Sequence, residues 1–271
     1  MKILNLHTSI FRVCLKPFRG LGLGKKFRFL WTIYDAVFRI FAPKKPFVFQ
    51  LNNYNFWMNP NEKVKHVRTW LQNYILQGEY EPETTSLIEK IVKKGDTVLD
   101  IGASIGYFSI NLSKIVGERG KVFSFEPTRE GFRYLCENKN LNDCKNIYPL
   151  NLAAWDKNEI VKMPKSDFAI NAQWANGVNI SDFLKNNYDI EEVNFIKMDI
   201  DGAEPWAIKG LSDLIDKSKN LTMICEYYPK YIEASDGDPK FFHDMLEKFF
   251  HLEKIDGDYG QGYWNYLCTR K

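Results

Sequence analysis

In the stretch VLDIGASIGYFSI, residues 98–110, an aspartate and two glycines four apart join an apolar run of strand type to one of helical type. Such a turn suits a ligand. Gly102 lets the chain bend sharply and lets a ligand approach with no Cβ in its way, and Gly106 permits close helix contact. The pattern is Asp-x-Gly-x-x-x-Gly rather than the Gly-x-Gly-x-x-Gly that seats a pyrophosphate on a helix N-terminus. Asp100, ahead of the first glycine, repels a pyrophosphate and suits a cationic ligand. Twenty residues after Gly106, the segment KVFSFEP brings Glu126 to a strand end, where a carboxylate can accept hydrogen bonds from two ribose hydroxyls. A ligand with a ribose, a cationic centre and no pyrophosphate describes S-adenosylmethionine, with Asp100 holding the ammonium of its methionine part directly or through water. Further on, FIKMDIDGAEP supplies Asp199, Asp201 and Glu204, and ICEYYP supplies Glu226. Carboxylates beside such a cofactor can orient an acceptor and take its proton.

These side chains must be held at the carboxyl ends of strands, where open α/β sheets bind ligands. Beyond residue 80 the chain reads VLDIG strand, YFSINLSKIV helix, KVFSFEP strand, REGFRYLCENKNLN helix, NIYPLNLAAW strand, ISDFLKNNY helix, FIKMDI strand, AEPWAIKGLSDLI helix, LTMICEYYP strand, FFHDMLEKFF helix, and a last strand pair ending at YWNYLCTRK. This alternation predicts an α/β fold, a mostly parallel sheet with helices on both faces. The stretch PKSDFAINAQWANGVNI (164–180) reads as a loop, and its Phe168, Trp174 and Gly177 suggest a stacking platform for a sugar ring or local packing of Trp174. Before residue 80 the texture changes. FVFQLNNYNFWMNP (47–60) alternates like a short hairpin with an Asn-rich turn, and EKVKHVRTWLQNYILQ is a helical run. FRFLWTIYDAVFRIFA (27–42) carries Phe27, Leu30, Trp31, Tyr34, Phe38 and Phe41 near helical spacing, an amphipathic helix for packing or for a membrane interface.

The 271 residues, 45% hydrophobic and 26% charged, describe a globular chain with a sizeable core. Residues 1–45 hold ten basic side chains against Asp35 alone, a net +9, so the remainder carries −6 of a total of +3. A basic arm on an acidic body calls for an anionic partner, with peripheral contact to an anionic membrane as one form. The five cysteines are odd in number and form no Cys-x-x-Cys pair, so free thiols in a reducing, cytoplasmic setting are expected. The four histidines show no metal-binding spacing. The apolar stretch at 27–42 is broken by Arg28, Asp35 and Arg39, too short and too charged for a membrane span, and the N-terminus lacks the pattern of a secretory leader.

Taken together, GEYEPETTSLIEKIVKKGDTVLDIGASIGYFSINLSK, GKVFSFEPTREGFRYLCENKNLN, NFIKMDIDGAEPWAIKGL and ICEYYP resemble the FkbM-type family of S-adenosylmethionine-dependent methyltransferases, over about residues 48–230. The resemblance implies a Rossmann-like class I fold with a seven-stranded, mostly parallel sheet, in a domain spanning residues 80–271 behind a helical and hairpin extension over 1–79. It implies that Tyr80 and Glu81 close over the methionine end of the cofactor, and that Ala103, Ser104, Pro127 and Ala154 join Asp100, Gly102, Gly106 and Glu126 in binding it. The chain departs from the family at three positions. Ser104 stands where the family has Asn and is expected to cap the following helix through its hydroxyl. Asp201 stands for Glu. Tyr228 stands for His and, with a pKa of about 10, makes a poor base.

The family largely transfers methyl to hydroxyl oxygens, so the implied acceptor is a hydroxyl of a sugar, a glycolipid or polysaccharide, or a secondary metabolite. Asp199 is the first candidate for the base or acceptor-orienting group, followed by Asp201 and Glu226, with Glu204 beside them. Asp201 and Glu204 also suit a helix N-terminus, Glu204 equally with a catalytic role, and Glu226 could anchor a loop. Carboxylates converging on one cleft could instead hold magnesium. An RNA methyltransferase and a non-catalytic scaffold are the other readings. DIDG stands where an amine-directed enzyme would carry Asn-Pro-Pro-Tyr or Asp-Pro-Pro-Tyr, and the acidic body disfavours nucleic acid as a partner. The oligomeric state is left open.

Overall fold

The computed structural model describes residues 45–59, 80–163, 174–258 and 262–271. The amphipathic stretch 27–42, the helical run 62–77, Phe168 and all of the basic arm but Lys45 lie outside the described residues. The chain divides into two compact units, one ending at Tyr80 and one beginning at Glu81. In the first, β1 (Phe47–Leu51) and β2 (Tyr54–Met58) form an antiparallel hairpin whose turn residues Asn52 and Asn53 both have positive φ, 47° and 66°. Asparagine tolerates that region, and a two-residue turn of this hand matches the twist of the paired strands.

The second unit is a doubly wound sheet. Its strands are β3 (Thr97–Ile101), β4 (Lys121–Phe125), β5 (Ile147–Leu150), β9 (Phe195–Met198), β10 (Thr222–Tyr227), β11 (Phe250–Asp258) and β12 (Tyr263–Arg270). Their spatial order is β11-β12-β10-β9-β3-β4-β5, parallel from β10 to β5 and antiparallel on both sides of β12. This is the mostly parallel sheet that the sequence pattern predicts, with the seven strands and Rossmann-like arrangement that the family resemblance implies. The central strands read as continuous apolar runs because both faces are covered. Leu99, Ile101, Phe123, Phe125, Ile196 and Met198 are all buried.

The helices are α1 (Pro82–Ile91), α2 (Tyr107–Val116), α3 (Arg129–Leu141), α4 (Ile180–Tyr188), α5 (Glu204–Gly210), α6 (Ser212–Lys217), α7 (Pro229–Ala234) and α8 (Pro239–Phe249). Ile180 and Leu184 of α4, Ala207 and Ile208 of α5, and Phe242 and Leu246 of α8 join one core with the strands. Strand order reverses between β3 and β9, neighbours in space but far apart in sequence, and the crevice at such a switch is where this architecture takes ligands.

Three local readings are corrected. NIYPLNLAAW is two strands, because the Asn151 amide donates to the carbonyls of Glu126 (2.9 Å) and Pro127 (3.1 Å) and turns the chain out of the main sheet. Beyond that turn β6 (Ala153–Trp155) enters a second sheet, of order β6-β8-β7, with β7 (Glu159–Lys162) and β8 (Trp174–Asn179). Trp174 and Gly177, expected in a loop, therefore lie on a strand. The single helix expected over AEPWAIKGLSDLI is divided at Leu211 into α5 and α6.

Candidate active site

Three loops meet at the switch. After β3 the amides of Gly102 and Ala103 both donate to the Phe125 carbonyl at the end of β4, at 2.9 and 3.0 Å. Gly102 has φ +89°, and a Cβ there would lie 1.9 Å from the carbonyl oxygen of Asp199, so the β3 and β9 loops touch backbone to backbone. Gly106 is the N-cap of α2, and a Cβ on it would meet Leu135 of α3 at 2.9 Å. The hydroxyl cap expected from Ser104 is not formed. Ser104 has φ +49°, α2 has no side-chain cap, and the residue instead donates its backbone N–H to Glu126 Oε2 at 2.7 Å. The other oxygen, Oε1, accepts from the Thr128 N–H (2.9 Å) and hydroxyl. Glu126 thus fastens the first loop to the second. Burial raises its carboxyl pKa, while the Thr128 and Ser104 hydrogen bonds oppose the rise.

A shallow apolar cleft adjoins these loops. Gly102, Pro127 and Ala154 line it with Phe125, Leu152 and Met163. Such a surface suits a flat ring, with the Glu126 carboxylate on the adjoining turn for ribose hydroxyls, so the residues present fit S-adenosylmethionine. Asp100 lies deeper, 2% exposed, with Oδ2 accepting the Ser109 hydroxyl. Burial pushes its carboxyl up to about 6, against the lowering by Ser109 and Lys197.

On the β9 side the charges concentrate. Lys197, 2% exposed, places Nζ 2.9 Å from Asp199 Oδ2 and 5.0 Å from the centroid of the Phe108 ring. Burial alone would lower its pKa, but Asp199, Glu81 and Asp100 outweigh burial and hold the ammonium above its ordinary value. Glu81, the N-cap of α1 with φ +40°, therefore acts on the same cation as the strand-end carboxylates. Tyr80 closes the other unit. Ligand oxygens of Asp199, Asp201 and Glu226 all lie within 4.8 Å of one another. Burial and then the neighbouring Asp199, Glu204 and Asp201 raise the Glu226 carboxyl well above its ordinary range.

Glu204 is placed differently from the other carboxylates. It is 1% exposed and opens α5, and Oε1 accepts the Ile200 N–H at 3.1 Å, which bends the Asp199–Ala203 loop back on itself. Burial pushes its carboxyl from 4.5 up to about 7, against backbone hydrogen bonds that lower it. Between those two values the folded chain keeps a proton that the unfolded chain has released, so stability declines as pH rises through that window. Glu204→Gln retains an acceptor for Ile200 and removes the decline. The variant is expected to exceed the wild type by up to about 3 kcal/mol above pH 7 and to show no advantage near pH 4.5. Melting curves at the two pH values check this, and parallel pH dependence in both chains would show Glu204 to be ionised throughout.

The structure thus brings Asp199, Asp201 and Glu226 together, gathers Gly102, Pro127 and Ala154 on one cleft, and sets Glu204 beneath the loop. Lys197 was not among the residues singled out from sequence. Its signal was present, since a lysine in the otherwise apolar FIKM, two residues before Asp199 and so on the same side of the strand, has to be paired to be buried. Trp155 and Trp206, stacked at 4.9 Å and 3° near the cleft, are a long-range pair with no local signal.

Among proteins of known activity, the chain is 37% identical over 60 residues to a tRNA(Phe) (4-demethylwyosine(37)-C(7)) aminocarboxypropyltransferase of Methanocaldococcus jannaschii, a match spanning 22% of this chain and 24% of that protein. Among solved structures, a SAM-dependent methyltransferase from Aquifex aeolicus aligns with TM-score 0.44 and 21% identity over 70% of this chain and 90% of that one. A tRNA methyltransferase from M. jannaschii aligns with TM-score 0.45 and 16% identity over 85% and 58%. The protein-L-isoaspartate O-methyltransferase family profile matches residues 40–148. The methyltransferase FkbM domain profile matches residues 100–255, more than half of the chain and all of the strand ends described above, and the protein belongs to that family of S-adenosylmethionine-dependent methyltransferases.

Proposed function

We propose that the 80–271 domain transfers methyl to oxygen, with a hydroxyl of a sugar, a glycolipid or polysaccharide, or a secondary metabolite as acceptor. The observation that carries this reading is the carboxylate trio at the ends of β9 and β10, with ligand oxygens within 4.8 Å of one another and Asp199 fastened to the buried Lys197. Carboxylates accept hydrogen bonds from hydroxyls and repel phosphates.

S-adenosylmethionine, when bound, supplies a methyl group that the acceptor oxygen takes while sulfur keeps the electron pair. The residues of the second unit that we assign to holding it are Glu81, Asp100, Gly102, Ala103, Ser104, Gly106, Glu126, Pro127 and Ala154. Asp199, 31% exposed beside the cleft and 2.9 Å from the Lys197 ammonium, receives the hydroxyl proton. Asp201 and Glu226 hold the acceptor in line, the larger part of the rate gain in a displacement of this kind.

Calorimetric titration with S-adenosylhomocysteine tests the cofactor half of the proposal. Micromolar binding is expected, weakened about 10- to 100-fold by Glu126→Ala because a charged acceptor of loop and ribose hydrogen bonds is lost. No binding to the wild type would leave the scaffold reading. Transfer that requires added magnesium would assign the carboxylate trio to a divalent cation.

The short match to a tRNA-modifying enzyme favours a second reading, methylation of RNA. Incubation with labelled S-adenosylmethionine and either total RNA or glycan fractions separates the two readings. Label recovered in RNA would overturn the hydroxyl-directed small-molecule proposal.

A further inference from the structure

The antiparallel register of β10 and β12 sets Glu226 opposite Asn265 and Tyr227 opposite Trp264. Residues directly opposite share a face of the sheet and successive residues alternate, so Glu226 and Asn265 lie on one face and Tyr227 and Trp264 on the other. Tyr228 and Tyr263, the next residues on each side, return to the first face, and their ring centroids lie 5.2 Å apart. Tyr231, in the first turn of α7, adds a third ring 4.2 Å from that of Tyr228. The Asp201–Gly202 turn lies against the helix that carries Tyr231. A Cβ on Gly202 would lie 2.3 Å from the Tyr231 carbonyl oxygen, so this turn and α7 are in direct contact. Glu226 therefore shares a sheet face with a half-exposed tyrosine wall, and its carboxyl oxygen lies within 4.8 Å of those of Asp199 and Asp201. The Asn265 Oδ1 beside it is buried with no donor among the described residues.

We infer that this wall is the acceptor subsite, and that the acceptor it takes is a neutral polyhydroxylated ring. The C–H face of the ring lies on Tyr228 and Tyr263, and ring hydroxyls are held by Glu226 and Asn265. Rigid aromatic faces give a ring a large contact at low entropic cost, while a carboxylate and an amide side by side read adjacent hydroxyls. An anionic ring is disfavoured, since its charge would lie close to the carboxyl oxygens of Asp199, Asp201 and Glu226, which stand within 4.8 Å of one another. The inference rests on the oxygen-directed reading above and adds to it the specificity residues Tyr263 and Asn265, which lie on β12, outside the strands that carry the cofactor loops.

The test uses the full chain saturated with S-adenosylhomocysteine and saturation-transfer NMR against methyl α-glucoside, α-mannoside, α-galactoside and α-rhamnoside, with methyl glucuronide as the anionic control. At least one neutral glycoside is expected to receive saturation at its ring C–H protons, and the glucuronide none. Tyr263→Ala should weaken that glycoside about tenfold or more while leaving S-adenosylhomocysteine affinity in place, and Tyr263→Phe should retain the binding. Asn265→Ala, read in the same way, covers the case in which Tyr263→Ala fails to fold. Two results overturn the inference: no neutral glycoside signal from the liganded wild type, or glycoside binding indifferent to both Tyr263→Ala and Asn265→Ala. A wild type that methylates a non-sugar hydroxyl and gives no glycoside signal removes this inference alone. A wild type that methylates no oxygen removes the reading beneath it as well.

Discussion

Gly102→Ala is expected to abolish S-adenosylhomocysteine binding and to lower the melting temperature by roughly 6–12 °C. The cause is a single distance. A Cβ at residue 102 would lie 1.9 Å from the Asp199 carbonyl oxygen and 2.9 Å from its carbon, neither of which is the yielding end of a side chain. The backbone there also sits at φ +89°, where an L-residue costs about 1–2 kcal/mol. Adding overpacking against rigid backbone brings the loss to about 3 kcal/mol, which for a domain of this size corresponds to the shift given. Relief requires the loop after β3 to move away from the loop after β9, and those loops carry the turn we assign to the cofactor and Asp199. A variant that melts with the wild type and binds S-adenosylhomocysteine equally well would show that the two loops do not meet as described.

Asp199→Asn is expected to lower kcat by about 10²–10⁴ with S-adenosylhomocysteine affinity nearly unchanged. It is also expected to destabilise the fold, because the Lys197 ammonium, 2% exposed, loses the carboxylate 2.9 Å away. Removing one partner of a buried pair costs about 3–5 kcal/mol, and the lower end applies here since Glu81 and Asp100 still face the lysine. Lys197 has a raised folded-state pKa, so its contribution is fully present below the ordinary lysine value and is lost only as pH rises through the folded one. At neutral pH the whole loss is therefore seen. Adding Lys197→Met should recover part of the stability, since an apolar side chain of similar length removes the unpaired ammonium while Asp100 and Glu81 lose the cation they faced, but it should not recover kcat. Recovery of both would make Asp199 a partner for Lys197 and nothing more. A single variant turning over within about threefold of the wild type would remove Asp199 from the chemistry.

Much of this arrangement was legible in the chain. The parallel strands announced themselves as apolar runs ending in acidic residues, and the Asn-rich turn of the β1–β2 hairpin followed from two residues that tolerate positive φ. The division of NIYPLNLAAW into β5 and β6 was not legible, because it depends on Asn151 reaching carbonyls that lie 24 and 25 residues back in the chain. The role of Ser104 could not be read from residue type either. Its hydroxyl suggested a cap, but the backbone conformation turned its N–H toward Glu126.

The sequence by itself determined the order of strands and helices, the glycines that the first loop needs, and the placing of acidic residues at strand ends. All of these depend on local periodicity and on backbone freedom, which are properties of neighbouring residues. Only the tertiary structure decided which carboxylates face the same cation, that Glu204 lies under the loop while Asp199, Asp201 and Glu226 share one space, and that Asn265 stands beside Glu226 across a gap of 39 residues. Those facts depend on strand register and on burial. A one-residue slip of β12 would turn Asn265 to the opposite face without altering a single local preference.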